Sequence, residues 1–298
     1  IFEINALLGA AAAGLCFFMD REKQMPQNGE YFDLPGSFLY ALALFSVMYG
    51  FSTLPRLTGA VLVACGVICF FFFIRRQLGM DFPLIDVRLF SDNRVFGMSN
   101  LATLIHYCAT FAVTFLMSLY LQHVKLLSPS HTGFILVMAP VLQALFSPFA
   151  GWLSDHREPR IIASTGMALS AAGLTGLAFI SASTHIGLIL LWLAMLGVGF
   201  ALFSSPNVNA VMSSVETKLY GIASATLATM RLVGQMLSMG IAMLIFSCVI
   251  GDQPLGHANS DLLVLSAKII LSIMAVTCLA GVFASLARGR VHDGRVAS

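Results

Sequence analysis

The chain is a succession of long apolar runs separated by short polar interruptions. A helix that crosses a bilayer needs about 20 mostly apolar residues. By that measure the sequence predicts nine spans, over 2–19, 36–54, 58–74, 95–120, 132–153, 161–181, 186–212, 220–250 and 262–286. The first three are short, and the last six are longer and joined by tight turns. Between the third and fourth, the stretch 81–94 interleaves Phe82, Leu84, Ile85, Leu89 and Phe90 with Asp86, Arg88 and Asp92. That is the pattern of a helix lying on the membrane surface, and it marks the boundary between two groups of helices. The expected fold class is an all-α polytopic membrane protein.

Composition agrees. Charged residues make up 10% of the chain, against about 25% in a soluble domain, and the mean hydropathy is +0.88. The net charge of +2 says little; the placement of the 16 Lys and Arg residues says more. With the turn at Asp155 taken as cytoplasmic, alternation puts 12 of them on that side and leaves only Arg56 and Lys125 outside, with Arg231 and Lys268 inside spans. Such a bias is the positive-inside signature. It supports the nine-span count, predicts a multi-pass protein of the cell membrane with a cytoplasmic C-terminus, and places Ile1 on the outer side. No basic cluster with interleaved aromatics points to nucleic acid; the expected surroundings are lipid. Cys16, Cys65, Cys69, Cys108, Cys248 and Cys278 all lie in apolar runs and read as small buried hydrophobes. The chain starts at Ile1 with neither an initiator Met nor the charged n-region of a signal peptide, which leads us to expect a fragment of a longer protein.

Polar groups inside a bilayer are costly, so each asks for a reason. Arg231 lies some eleven residues into its span with Gln235 one turn on; it either faces a cavity or a partner group, or snorkels to the headgroups. Lys268, near the outer end of its span, reads as a snorkelling residue. The run from Gly197 to Asn209 combines Gly197 and Gly199, which permit close helix approach, with Pro206, Asn207 and Asn209, which offer cavity contacts or packing bonds. Asn100 and Tyr107 are seven apart on one helix face, beside His106. Gln143 sits between Pro140 and Pro148, where a broken helix could line a cavity. Asp155, Arg157 and Arg160 crowd the turn between two spans, where Asp155 could face the N-terminus of the following helix. Of the 14 acidic residues only Glu3 could fall inside a span. No phosphate-cradling loop, nucleophile triad or metal cluster is present in the sequence, so an enzyme is not expected and no cofactor is implied.

Gly151-Trp-Leu-Ser-Asp155, with Arg160 five residues further, resembles the signature loop of the major facilitator superfamily. Phe2-Glu-Ile-Asn5 with Leu8-Gly9 resembles the start of the sixth span of its fourteen-span drug/proton antiporter branch. The stretch from Gly197 to Asn209, and Gly221-Ile-Ala-Ser224 with Arg231 and Gly234, are similar to that branch's twelfth and thirteenth spans. The departures are His156 in place of a basic residue, Glu158 in place of Gly, and Leu8 or Ala10 in place of a Pro near the first span.

The resemblance covers essentially the whole chain, as spans six to fourteen. It implies that residues 1–80 are the end of the N-terminal half plus two linker helices, 81–94 an interfacial cytoplasmic segment, 95–287 the C-terminal six-helix bundle and 288–298 a cytoplasmic tail. It implies a secondary transporter exporting small hydrophobic or amphiphilic compounds by alternating access, driven by the proton gradient. The first five spans, with the coupling carboxylate and the other half of the cavity, would then lie outside this sequence. Arg231, Gln235, Asn207, Asn209, Gln143, Asn100 and Tyr107 become candidates for lining or bracing a substrate cavity, and Gly151, Asp155, Arg157 and Arg160 for a cytoplasmic gating loop. A narrow-substrate metabolite carrier is the alternative, or a non-transporting membrane scaffold if the fragment is the whole product.

Overall fold

The computed structural model describes residues 33–54, 56–80, 88–251 and 260–289, together with Gly9 and Gly14. The expected first span, most of the surface segment (81–87) and the tail from 290 onward therefore lie outside the described residues. The chain divides into two compact units, 1–32 and 33–298; everything below concerns the second.

Among the described residues, eight helical stretches are long and apolar enough to cross a membrane. In chain order the helices are α1 (Leu34–Thr53), α2 (Leu57–Leu78), the short α3 (Arg88–Asp92), α4 (Arg94–Thr110), α5 (Val113–Leu119), α6 (Pro129–Leu136), α7 (Met138–His156), α8 (Pro159–Ala178), α9 (Ile186–Ser213), α10 (Tyr220–Val249) and α11 (Ser260–Ala287). Helices α4 and α5, continued by a π-helical turn over Tyr120–Val124, form one span, and α6 with α7 forms another. Arg94 opens α4 behind the Asn93 cap, whose side chain accepts from the Phe96 amide at 2.9 Å. It belongs to the bundle and not to the surface segment assigned to it from sequence.

Two of the breaks have identifiable causes. Pro140 has no N–H to give the Leu136 carbonyl four residues back, and the helix is interrupted at Val137 between α6 and α7. Between α4 and α5 no proline intervenes. Thr110 turns its hydroxyl onto the His106 carbonyl at 2.8 Å, a bond that bends helices, and the Ser238 hydroxyl of α10 takes the Ala112 amide at 3.0 Å. A side chain inserted into the helical ladder is a recognised cause of a kink.

Helix α9 packs on α7 and α8, α8 also on α11, and α4 on α10 and α11; α1 and α2 form a hairpin that touches the bundle through α10. Inside a bilayer, close packing of small residues replaces the hydrophobic drive. A Cβ on Gly199 would meet the Gly166 carbonyl at 2.7 Å, and one on Gly197 would meet the Ala139 carbonyl at 2.4 Å. The two glycines thus let α9 lie against α8 on one side and α7 on the other. The buried core runs from Leu116, Met117 and Tyr120 through Met167 and Leu174 to Ile270 and Met274. Large apolar side chains such as Phe38, Phe134 and Phe283 point outward, as lipid demands. Helix α7 buries only Ala150 and Ser154 along its whole length, so one flank of the bundle is open.

The helix ends alternate. One end of the bundle carries Arg75, Arg76, Arg94, Arg157, Arg160 and Arg288; here it is called the basic end. At this end Asp33 caps α1 by accepting from the Gly36 amide at 2.9 Å, and receives Arg76 Nη2 at 2.9 Å and Gln77 Nε2 at 2.8 Å. That clamp closes the α1–α2 hairpin. At the far end, Tyr120 Oη donates to the Ser181 carbonyl at 2.6 Å and Lys125 Nζ to the Ala182 carbonyl at 2.8 Å.

Candidate functional site

The open flank leads into a cavity of about 660 Å³ walled by α4, α5, α6, α7, α9 and α10. Its polar side chains are Tyr107, Thr110, Thr114, Ser118, Gln143 and Gln235, set among Phe111, Phe115, Phe200 and Met239. Both breaks described above open onto it, since Thr110 and Phe111 line one side and Pro140 the other. Gly234 fixes how α10 approaches α4: a Cβ there would lie 2.5 Å from the Leu104 carbonyl and 3.0 Å from Tyr107 Cβ. That closeness sets the Arg231 guanidinium over the Tyr107 ring, 5.1 Å from its centroid. Ser204 and Arg231 are polar neighbours of the Tyr107 hydroxyl. The Phe200 ring stands edge-on to Tyr107, centroids 5.3 Å apart. Arg231 is half-buried, and its Nε has no hydrogen-bond partner. The wall therefore combines aromatic faces with neutral amide and hydroxyl groups, and the Arg231 cation, held against the Tyr107 ring, is not itself part of the lining.

A second polar constellation lies at the basic end and is closed to solvent. Arg288 is 0% exposed. Its Nη1 donates to Asn207 Oδ1 at 2.9 Å and lies 3.4 Å from Ser99 Oγ, and its Nη2 donates to the Pro159 carbonyl at 2.7 Å. Asn207 Nδ2 in turn donates to the Ser99 carbonyl and to Thr103 Oγ1, so one arginine and one amide tie α4, α8, α9 and the end of α11 together. Burial pushes the Arg288 guanidinium down to about 10, with nearby Glu158 pulling the other way; it stays charged at neutral pH. Beside this cluster Asp155 Oδ1 accepts from Asn209 Nδ2 at 3.1 Å, and Ser154 Oγ accepts from the same amide at 3.0 Å.

The sequence model of the family described as Major Facilitator Superfamily matches residues 99–295. The chain belongs to the Major Facilitator Superfamily. Among similar proteins, the riboflavin transporter RibZ of Clostridioides difficile (strain 630) is 29% identical over 231 residues, covering 78% of this chain and 50% of that protein. The uncharacterized transporter YebQ of Escherichia coli (strain K12) is 31% identical over 303 residues, 97% of this chain and 62% of its own length. The tetracenomycin C resistance and export protein of Streptomyces glaucescens is 26% identical over 260 residues, 85% of this chain and 48% of its own. The chain thus spans about half the length of the curated relatives it matches. Membership of this superfamily and the eight membrane-length helices among the described residues make it a multi-pass membrane protein, and the helical bundle is in keeping with part of a facilitator fold.

Within this facilitator chain the residues singled out from sequence separate into two groups. Tyr107, Gln143 and Gln235 come together on the cavity wall, with Arg231 directly behind Tyr107. Asn207, Asn209 and Asn100 are not on that wall. Asn207 pairs with Arg288. Asn209 holds Asp155. Asn100 is fully buried, its Nδ2 donating to the Phe96 carbonyl of its own helix at 3.0 Å, while its Oδ1 has no partner. His106 is equally enclosed, its ring 4.1 Å from that of Phe203.

The loop differs from expectation in one respect. Helix α7 continues through His156, leaving only Arg157 and Glu158 before Pro159 starts α8. Asp155 therefore occupies the last turn of α7 and turns to Asn209 on α9, and does not cap α8. A Cβ on Gly151, one turn earlier, would meet Ser205 Oγ at 3.1 Å, so this residue brings α7 close to α9 at the same level. Arg157 is exposed, and Arg160 is half-buried with an unpartnered Nε.

Arg288, the first residue of the expected cytoplasmic tail, turns into the bundle. Helix α11 ends at Ala287 with Ser285 already buried, so a side chain one residue on still falls inside the bundle's footprint and finds acceptors there. Asp33, Ser204 and Ser238 were passed over as well. The Asp33-Leu34-Pro35-Gly36 start of α1 is a helix N-cap signature that the sequence did offer.

Proposed function

We propose that this chain is the C-terminal part of a proton-coupled exporter of hydrophobic or amphiphilic compounds, working by alternating access in the fourteen-span manner, with the basic end in the cytoplasm. The observation that carries the reading is the cavity wall itself. Tyr107, Gln143 and Gln235 converge from three different spans on a recess bounded by aromatic rings, at the level of the two helix breaks. Such a wall offers stacking surface and neutral hydrogen-bonding groups while binding no single shape, the combination that suits varied aromatic substrates. Further support comes from the relatives whose names record export of, or resistance to, antibiotics. Arg231, held on the Tyr107 ring, would set the charge of the wall, and Gly151, Asp155, Arg157, Arg160 and Asn209 would brace the cytoplasmic gate.

The test is dye efflux from energised cells expressing the complete gene, with and without a protonophore. Efflux that the protonophore stops, and that falls about tenfold in Arg231→Ala while the protein stays in the membrane, agrees with the proposal; a tenfold change corresponds to about 1.4 kcal/mol. Loss of efflux in no variant and insensitivity to the protonophore would remove both the coupling and the role of Arg231. A second reading, a carrier for one polar aromatic metabolite, is favoured by the riboflavin transporter among the relatives. It predicts uptake of a single flavin-like compound and no movement of structurally unrelated dyes.

A further inference from the structure

The α1–α2 hairpin meets α10 at two separated places. At one, Tyr40 Oη and Thr229 Oγ1 share a hydrogen bond. At the other, eleven residues further along α10, the Phe51 ring lies 2.4 Å from where a Cβ on Gly240 would be. Eleven residues of helix span about 16 Å, close to the depth of one leaflet of a hydrocarbon core about 30 Å thick. Between the two seams the hairpin and the bundle stand apart. The slot they leave has a volume of about 530 Å³ and is lined by side chains such as Val47, Val63, Val67, Phe70, Val233 and Leu237.

A second groove of about 630 Å³ runs from the basic end down the face of α4 and shares Phe90, Leu104 and Met230 with the slot. Its mouth carries Arg94 and Ser91. Ser91 is engaged, donating to the Arg88 carbonyl and to Asp92 Oδ1, and Asp92 is not part of the lining. Arg94 is exposed and makes no hydrogen bond or ion pair among the described residues, so its guanidinium is available at the mouth. Two apolar grooves joined at their walls, with the Arg94 guanidinium at the head, have the outline of a phospholipid.

We propose that this is a binding site for a phospholipid with an anionic headgroup, drawn from the leaflet at the basic end. Its phosphate is met by Arg94, one acyl chain enters the slot between hairpin and bundle, and the other lies along α4. The occupant holds the hairpin against α10 where the two helices do not touch each other. A neutral lipid fills the same grooves but gains less from Arg94, and a juxtamembrane basic residue contributes about fivefold in affinity for an anionic lipid.

The experiment is native mass spectrometry of the purified full chain after exchange into nanodiscs holding equal amounts of phosphatidylglycerol and phosphatidylethanolamine. Wild type is expected to retain phosphatidylglycerol in preference. Arg94→Gln should lower that retention about fivefold and lower retention of phosphatidylethanolamine by less, so that the preference between the two lipids shrinks. Val67→Trp fills the slot from a side chain that is already 58% exposed, so the core is not disturbed, and it should abolish retention of both lipids. Arg75→Gln, an exposed basic residue outside both grooves, is the control and should behave as wild type. Equal loss in Arg94→Gln and Arg75→Gln would reduce the effect to general surface charge and overturn the proposal. So would full retention in Val67→Trp. Retention of neither lipid by wild type would show the slot to be filled by protein or left empty, and would overturn it too.

Discussion

Two arginines, Arg231 and Arg288, lie on neighbouring helices of the same bundle, and their surroundings could hardly differ more. Arg288 is wholly enclosed and has an amide oxygen and a main-chain carbonyl as acceptors, with a serine hydroxyl at the edge of reach. Arg231 has the face of Tyr107 instead, beside a cavity of about 660 Å³, while the Nε of both arginines is unpartnered among the described residues. A buried guanidinium whose donors are largely satisfied is committed to structure. One left with donors to spare, next to an open recess, can still meet something that arrives there. The contrast shows that depth in the membrane does not by itself set how a cation is held; the acceptors its Nη groups find do.

That contrast can be broken by substitution. The largest effect is expected from Arg288→Met, which removes the bonds to Asn207 Oδ1 and the Pro159 carbonyl and strands Asn207 Oδ1 in a dry interior. A hydrogen bond to a charged group contributes about 1.5–3 kcal/mol, and the bonds to Asn207 and Pro159 are both lost, so the melting temperature in detergent should drop steeply. An unchanged melting point would mean that water replaces the guanidinium. Next comes Gly234→Val, which drives a side chain into the Leu104 carbonyl and should cost about 1–3 kcal/mol, the usual cost of overpacking. It should also part Arg231 from Tyr107, visible as a change in the tyrosine's fluorescence or ultraviolet absorbance.

The Asp33 clamp sharpens the comparison with an ion pair at a helix end. The hydrogen bond from Arg76 holds the Asp33 carboxyl below its usual range, against the opposing pull of burial. A lowered folded-state value means that its stabilisation is fully present above the unfolded value of about 3.9 and is lost as pH falls through the lower folded value. Asp33→Asn should therefore cost about 2 kcal/mol at neutral pH, the range for a hydrogen bond to a charged group. The gap to wild type should close only in strong acid. The smallest effect on stability belongs to Arg231→Gln, about 0.5–1 kcal/mol for a partly exposed cation–π contact. If it proves as destabilising as Arg288→Met, the two arginines are not of different kinds.

Much of this architecture was legible in the sequence because lipid imposes a plain rule. Only long apolar helices can cross it, so run length alone located the eight described stretches to within a few residues at most ends, and the polar interruptions predicted the turns. The breaks were half legible. Pro140 announced one, whereas the α4–α5 kink depends on Ser238 arriving from a helix more than a hundred residues away, which no local pattern records. The candidate site followed the same division. Tyr107, Gln143 and Gln235 were found because a polar group in a span stands out. The partners of Asn207 and Asn209 were not foreseen, since an amide in an apolar run looks the same whether it faces a cavity or a neighbour. Arg288 was misplaced because a basic residue at the end of a span normally signals the membrane surface, and only the three-dimensional footprint of the bundle shows it turning inward.

The bond from Ser238 to the Ala112 amide has a mechanical consequence. A helix bent at a proline has simply lost a hydrogen bond and can straighten or fold without reference to its neighbours. Here the bond has been transferred to α10, so the joint is geared to it. Any displacement that carries Ser238 away leaves a main-chain donor unpaired in a dry interior, at about 1–3 kcal/mol. The half of the α4–α5 span away from the basic end and α10 must then turn as one linkage, or else the joint must first re-close its own ladder. Amide hydrogen exchange at Ala112 would report which of the two the molecule does.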